Sequence, residues 1–166
     1  MWFGTLQGLS IYDGNEMITL KGGEERFDNY IKNNTIYQII EDSNHNIFLR
    51  ADNSLICYKL AEDRFQCIRE RDINAVNSIG SKIYIAAKDS ILEWNEGDTR
   101  WDFFKKVEVP PAKISYIFCN RNNEWYIVTS KGCYKEYKTG LWKCILDKPS
   151  IEMLYESKDG SIWMAT

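Results

Sequence analysis

The feature that most restricts this chain of 166 residues is an internal repeat. Three segments align without gaps: IYQIIEDSNHNIFLRA from Ile36, ISYIFCNRNNEWYIVT from Ile114 and IEMLYESKDGSIWMAT from Ile151. Each opens on Ile, runs apolar, breaks at Asn, Asp or Gly, and resumes at an aromatic 12 residues on, at Phe48, Tyr126 and Trp163. A fourth copy, from Ile73, has a turn one residue shorter and puts Tyr84 in the aromatic position. The opening MWFGT reads as the second half of a fifth copy, with Trp2 in that position. Successive opening isoleucines lie 37, 41 and 37 residues apart.

A period near 40 fits a propeller, a helical array or a horseshoe, and the local pattern chooses among them. After each aromatic comes a second strand-like run, ending at Tyr12, Tyr58, Trp94 and, with one extra residue, Tyr137. A further aromatic follows in three copies, at Phe65, Trp101 and Trp142. Each repeat therefore offers four short runs bounded by turn residues, and none keeps a helical period with caps. The turns agree: Asn44-His45, Gly80-Ser81, Asn122-Asn123 and Asp159-Gly160 sit in the same hairpin and tolerate the positive φ that tight hairpins require. Four strands per unit of about 40 residues is a propeller blade. The expected fold is all-β, a partial β-propeller of about four blades of four antiparallel strands each. The blades run 34–72, 73–113 and 114–150, with a remnant at 1–33 and a partial blade at 151–166.

The segments ESKDGSIWMAT, EDSNHNIFLRADNSLICY and WFGTLQGLSIY together resemble the two-component regulator propeller repeat, I-x-x-I-x-E-D-x-x-G-x-I-W-x-x-T-x-x-G-L-x-x-Y. The likeness spans essentially the whole chain. It departs from the pattern where the copy from Ile73 lacks the acidic pair, and where Ser54 and Ser90 replace the Gly before the third strand. The resemblance implies a periplasmic, non-catalytic sensor region of a hybrid two-component system from a polysaccharide-degrading Gram-negative bacterium. In that family two propellers typically precede a small β-sandwich, one membrane helix and a histidine kinase. It implies an oligosaccharide or a partner protein as the signal. The alternatives are a free-standing interaction scaffold and, from the enzyme class, a propeller lyase or hydrolase.

The repeat also supplies the bland reading of most conspicuous residues. Trp2, Phe48, Tyr84, Tyr126 and Trp163 recur at one structural position and, with the other repeat-position aromatics Tyr12, Tyr58, Phe65, Trp94, Trp101, Tyr137 and Trp142, are expected to be buried between blades. Among aromatics outside the repeat positions, Phe103, Phe104, Trp125 and Tyr134 are candidates for sugar stacking. Glu41 and Asp42 have the look of an acid–base pair but recur in part as Glu156, which marks them as hairpin shoulders. His45, the one histidine, is expected in a turn. The five cysteines show no C-x-x-C spacing and read as small hydrophobes, with Cys133–Cys144 or Cys57–Cys67 as bridges open to an oxidising compartment. No calcium-loop, zinc, phosphate-loop or nucleophile-elbow motif appears, so no catalytic residue, metal or cofactor is expected. The Lys21–Glu25 stretch reads as a flexible loop and Val109–Pro111 as a stiff linker between blades, and either can shape a binding face.

Aromatic content of 14% suits half-buried strands. The net charge of −3, with both signs scattered, leaves no basic stripe for nucleic acid. No apolar run approaches the roughly 20 residues of a membrane-spanning helix. The start, MWFGTLQGLS, lacks the pattern of a signal peptide and reads as the middle of a blade. Strands two to four of one blade at the N-terminus and one to two of another at the C-terminus leave open edges. Self-association of Ile151–Thr166 with Trp2–Tyr12 of a second copy is the expected consequence.

Overall fold

The computed structural model describes residues 1–20, 35–52, 54–69, 72–95, 100–109, 112–148 and 150–166. Within them the chain is all-β, and the one helical element is a single 3-10 turn, Leu60–Glu62. The strands form five antiparallel sheets, each ordered as the chain runs. The first sheet holds β1 (Trp2–Thr5), β2 (Gly8–Tyr12) and β3 (Met17–Leu20), and the second holds β4 (Ile36–Glu41), β5 (Ile47–Ala51), β6 (Ser54–Lys59) and β7 (Arg64–Arg69). The third comprises β8 (Ala75–Ile79), β9 (Lys82–Ala87), β10 (Ser90–Asn95) and β11 (Arg100–Lys106). The fourth comprises β12 (Ile114–Cys119), β13 (Trp125–Thr129), β14 (Gly132–Lys138) and β15 (Leu141–Leu146). The last pairs β16 (Met153–Glu156) with β17 (Ile162–Ala165). Contacts divide the chain into two units, Met1–Ile73 and Asn74–Thr166.

Strand register reproduces the repeat residue by residue. Phe48, Tyr84, Tyr126 and Trp163 stand opposite Ile40, Asn77, Phe118 and Tyr155, the same position on each first strand. Trp2, Phe48, Tyr84 and Tyr126 stand opposite Ile11, Cys57, Glu93 and Lys135, the same position on each third strand. The first hairpins are equally regular. Positive φ falls on His45 (62°), Gly80 (61°), Asn123 (61°) and Gly160 (87°), one residue per turn.

The second hairpin comes in two chemistries. Where the repeat has Thr and Gly, the threonine ties the turn: Thr5 Oγ1 donates to the Gly8 carbonyl (2.8 Å) and Thr129 Oγ1 to the Gly132 carbonyl (3.3 Å). Gly8 and Gly132 take φ of 127° and 141°. Where the copies carry Ala51…Ser54 and Ala87…Ser90, the positive φ moves to Asp52 (50°) and Lys88 (54°), so the serines need no glycine geometry. A Cβ on Gly132 would lie 2.2 Å from the Leu146 carbonyl oxygen, a backbone atom that has no easy way to yield. Gly132→Ala is expected to cost about 1–3 kcal/mol; an unchanged denaturation midpoint would contradict this turn geometry.

Each unit has its own core. In the first, Leu9, Ile36, Leu49 and Ile56 are buried together, with Trp2 packed on Tyr58 (ring centroids 5.1 Å) and Phe65 (6.4 Å) of the following sheet. In the second, Tyr84 joins Ile114, Ile117 and Trp125 of the sheet after its own, and Tyr126 joins Ile151 and Leu154. Within each unit the position therefore packs a sheet onto the one that follows it. Phe48, Tyr84 and Tyr126 are 3%, 6% and 5% exposed.

Trp163 corrects the expectation of burial at every copy. It is 63% exposed, because among the described residues of the second unit no sheet follows β17 as the fourth sheet follows Tyr84 and the fifth follows Tyr126. Tyr137 is a second correction. The extra residue of its copy is taken up by a register shift between Glu136 and Lys138, which turns Tyr137 out to 60% exposure and puts Glu136 opposite Trp142. Glu136 thus occupies the place that Tyr58 holds opposite Phe65 and Trp94 holds opposite Trp101.

Register also decides the cysteine question. Cys57 lies opposite Gln66 while Cys67 lies opposite Ile56, and Cys133 lies opposite Leu146 while Cys144 lies opposite Tyr134. Residues adjacent on a regular strand face opposite sides of the sheet, so Cys57 and Cys67 stand on opposite faces, whereas a register shift falls between Cys133 and Tyr134; Cys133 and Cys144 are both thiols, with no bond between them. Cys133 is buried, and burial pushes its thiol up to about 11, whereas Cys144 is exposed. Iodoacetamide at pH 8 is expected to label Cys144 in the native protein and Cys133 only after unfolding, read by mass spectrometry; equal labelling of both would overturn this assignment.

Candidate binding groove

Three first strands of the second unit, β8, β12 and β16, border a groove of about 460 Å³. That volume lies within the roughly 300–1,000 Å³ typical of small-molecule sites. Its side chains come from the C-terminal halves of these strands and the hairpins that follow them. Asn77 stands where the other copies have Ile40, Phe118 and Tyr155, and its Nδ2 donates to the Ile117 carbonyl on the neighbouring first strand (2.9 Å). The same side chain accepts from the Ser78 backbone N–H (2.9 Å). One polar substitution in the repeat therefore ties two adjacent sheets at the groove.

A register shift between Ile114 and Tyr116 places Tyr116 opposite Val128. Its ring packs against the cluster of Tyr126, Val128, Cys133, Ile151 and Leu154, and burial pushes its phenol up. Its hydroxyl has no hydrogen-bond partner among the described residues. Phe118 packs on Tyr126 (ring centroids 5.9 Å), and Met153 and Tyr155 remain exposed at the far side.

Among the described residues, charge in the groove is confined to one pair. The Arg121 backbone N–H donates to Glu156 Oε2 at 2.9 Å, its Nε lies 3.2 Å from the same oxygen, and its other nitrogens reach the Ser157 and Lys158 carbonyls. Outside the groove, Lys135 holds the Glu124 carboxyl below its usual range, and Glu124 in turn raises Lys135. A smaller concavity of about 310 Å³ lies between β11 and the β14–β15 turn, beside Phe103 and Leu141.

The sugar-stacking candidates read from sequence are mostly placed elsewhere. Trp125 and Tyr134 are core residues, Phe104 packs against that core, and Phe103 is exposed beside the smaller concavity. His45 lies in its turn and contacts the Glu41 carboxylate, both side chains being more than half exposed. Asp42 accepts from the Asn44 and Asn46 backbone N–H groups (2.8 Å each) and shapes that turn. The Lys21–Glu25 stretch and Pro110–Pro111 lie outside the described residues. Sequence reasoning missed Ser78, Tyr116 and Arg121, whose signal was departure from the repeat rather than agreement with it.

No protein-family model matches the chain, and no curated protein sequence is similar to it. Solved structures do match. The extracellular domain of the hybrid two-component system BT4673 from B. thetaiotaomicron superposes with a TM-score of 0.78 at 17% identity, over 98% of this chain and 24% of its own length. The corresponding domain of BT3049 from the same organism gives 0.71 at 17% identity, over 99% and 24%. The fold is a β-propeller. The chain spans about a quarter of the length of these structures. A second kind of propeller neighbour is virginiamycin B lyase from Staphylococcus aureus, with a TM-score of 0.71 at 9% identity, over 98% of this chain and 58% of that one. Propeller architecture is thus common to sensor domains and to a lyase, and the function has to be argued from the site.

Proposed function

We propose that this chain is part of the non-catalytic, periplasmic sensing module of a hybrid two-component system, responding to a saccharide or a partner protein. The observation that carries this reading is the likeness to the BT4673 and BT3049 extracellular domains over nearly the whole chain, together with repeat segments of the two-component regulator type. Ligand in the groove, or pairing of two propellers, would shift the placement of two protomers and so bias a kinase across the membrane. The three complete or partial sheets of the second unit are read as successive blades, with the repeat aromatics as their packing residues. The test is the complete reading frame. A membrane helix followed by a histidine kinase is expected downstream, and a frame that ends without them would favour the free-standing scaffold.

The lyase neighbour supports a second, enzymatic reading. Against it stand the carboxylates themselves: Glu41 is bound to His45 in an exposed turn, and Glu156 is held by Arg121. Glu41→Gln is expected to shift stability by less than about 0.5 kcal/mol, as exposed substitutions usually do. The purified chain is expected to turn over no polysaccharide, and activity lost in that variant would reinstate the enzyme. Self-association through the edges of β17 and β1 is proposed as well; light scattering at micromolar concentration is expected to give a mass above the 19.5 kDa of one chain.

A further inference from the structure

We infer that the groove along β8, β12 and β16 takes an uncharged oligosaccharide, contacted by the hydroxyls of Tyr116 and Ser78. The inference rests on the sensor reading for the ligand being a saccharide, and it adds the charge class and the place. Three observations carry it. The groove's cation, Arg121, is already committed to Glu156 and two backbone carbonyls, so among the described residues no unpaired charge remains there to recognise a sulfate or a uronate. The polar side-chain groups left over are hydroxyls: among the described residues neither Tyr116 Oη nor Ser78 Oγ has a hydrogen-bond partner, although both side chains are half-buried. Asn77 and Asn120 are bonded within the protein, and Phe118, Ile79 and the exposed Met153 supply apolar surface for the C–H faces of a sugar ring. Neutral hydroxyl groups beside apolar surface complement a ligand that is itself made of hydroxyls on an apolar frame, whereas an anionic glycan would be desolvated with no cation to meet it.

The two hydroxyls also make the idea separable from effects on folding. Because neither is bonded to any described residue, Tyr116→Phe and Ser78→Ala are expected to leave the thermal midpoint unchanged, and any loss of binding then reports the groove. Isothermal titration of the chain with maltohexaose, cellohexaose and mannohexaose, beside a hexamer of galacturonate, is the experiment. Binding to at least one neutral hexamer is expected, little changed between 50 and 500 mM salt, with each variant weakening it about 2- to 12-fold, the range of one lost hydrogen bond. Binding of galacturonate in preference to all neutral hexamers, binding indifferent to both variants, or no binding to any of the four probes would each overturn the inference. The reading frame beyond Thr166 tests the sensor assignment independently, so failure of one is distinguishable from failure of the other.

Discussion

Replacing Lys105 by Met, or Glu136 by Leu, is expected to destabilise the second unit by about 3–5 kcal/mol, and replacing both together to restore most of that loss. The two side chains are 9% and 11% exposed, and Lys105 Nζ donates to Glu136 Oε2 at 2.6 Å across two adjacent sheets. Lys105 also lies over the Trp125 ring (4.5 Å to the centroid) and the Phe104 ring (4.8 Å), while Glu136 accepts from the Gly140 N–H (2.8 Å). A single substitution strands one charge in a site that water scarcely reaches, and the cost is the uncompensated desolvation of the survivor. The double substitution removes both charges and leaves apolar side chains of similar volume, which in such sites is often neutral or stabilising by about 1–4 kcal/mol. Urea unfolding of the four proteins gives the cycle directly. A double variant no better than the worse single would show that the pair's importance is packing and not charge.

Truncating the repeat aromatics separates the copies by burial. Tyr84→Ala and Tyr126→Ala are each expected to cost about 3–5 kcal/mol, the range for a large aromatic removed from a core. Tyr84 packs on Phe104 (4.9 Å) and edge-on to Trp125 (5.0 Å), so its loss opens a cavity between two sheets. Trp163→Ala, at the same repeat position, is expected to cost less than about 0.5 kcal/mol at dilutions where the chain is a monomer, because an exposed ring has little burial to lose. Equal costs at Tyr84 and Trp163 would mean that β17 is covered in solution by something this chain does not itself supply, and light scattering on the same samples would identify a second copy as that cover.

Much of this architecture was legible in the amino-acid sequence because it is local. Ile36, Ile73, Ile114 and Ile151 mark the sheets, since the alternation of apolar run, turn and aromatic is set by neighbours within about 15 residues. The hairpins were readable for the same reason: His45, Gly80, Asn123 and Gly160 are residues that tolerate positive φ, and each does adopt it. The candidate groove was not legible. Tyr116 and Ser78 matter there because their hydroxyls find no partner, a property of what surrounds them after folding. Asn77 and Arg121 act on residues 40 and 35 positions away along the chain. Tyr137 shows the limit most plainly. Its spacing suggested the buried aromatic of a third strand, but one extra residue is absorbed as a bulge, and that bulge exchanges Tyr137 for Glu136 at the buried position. The exchange is tolerable only because Lys105, 31 residues earlier on another sheet, meets the carboxylate. Sequence by itself determined the period, the strands and the turns, whose energies are settled between near neighbours. Tertiary structure alone decided which charge could be buried, which ring was left exposed and which hydroxyls were left unbonded, because desolvation depends on every group that packs around a site.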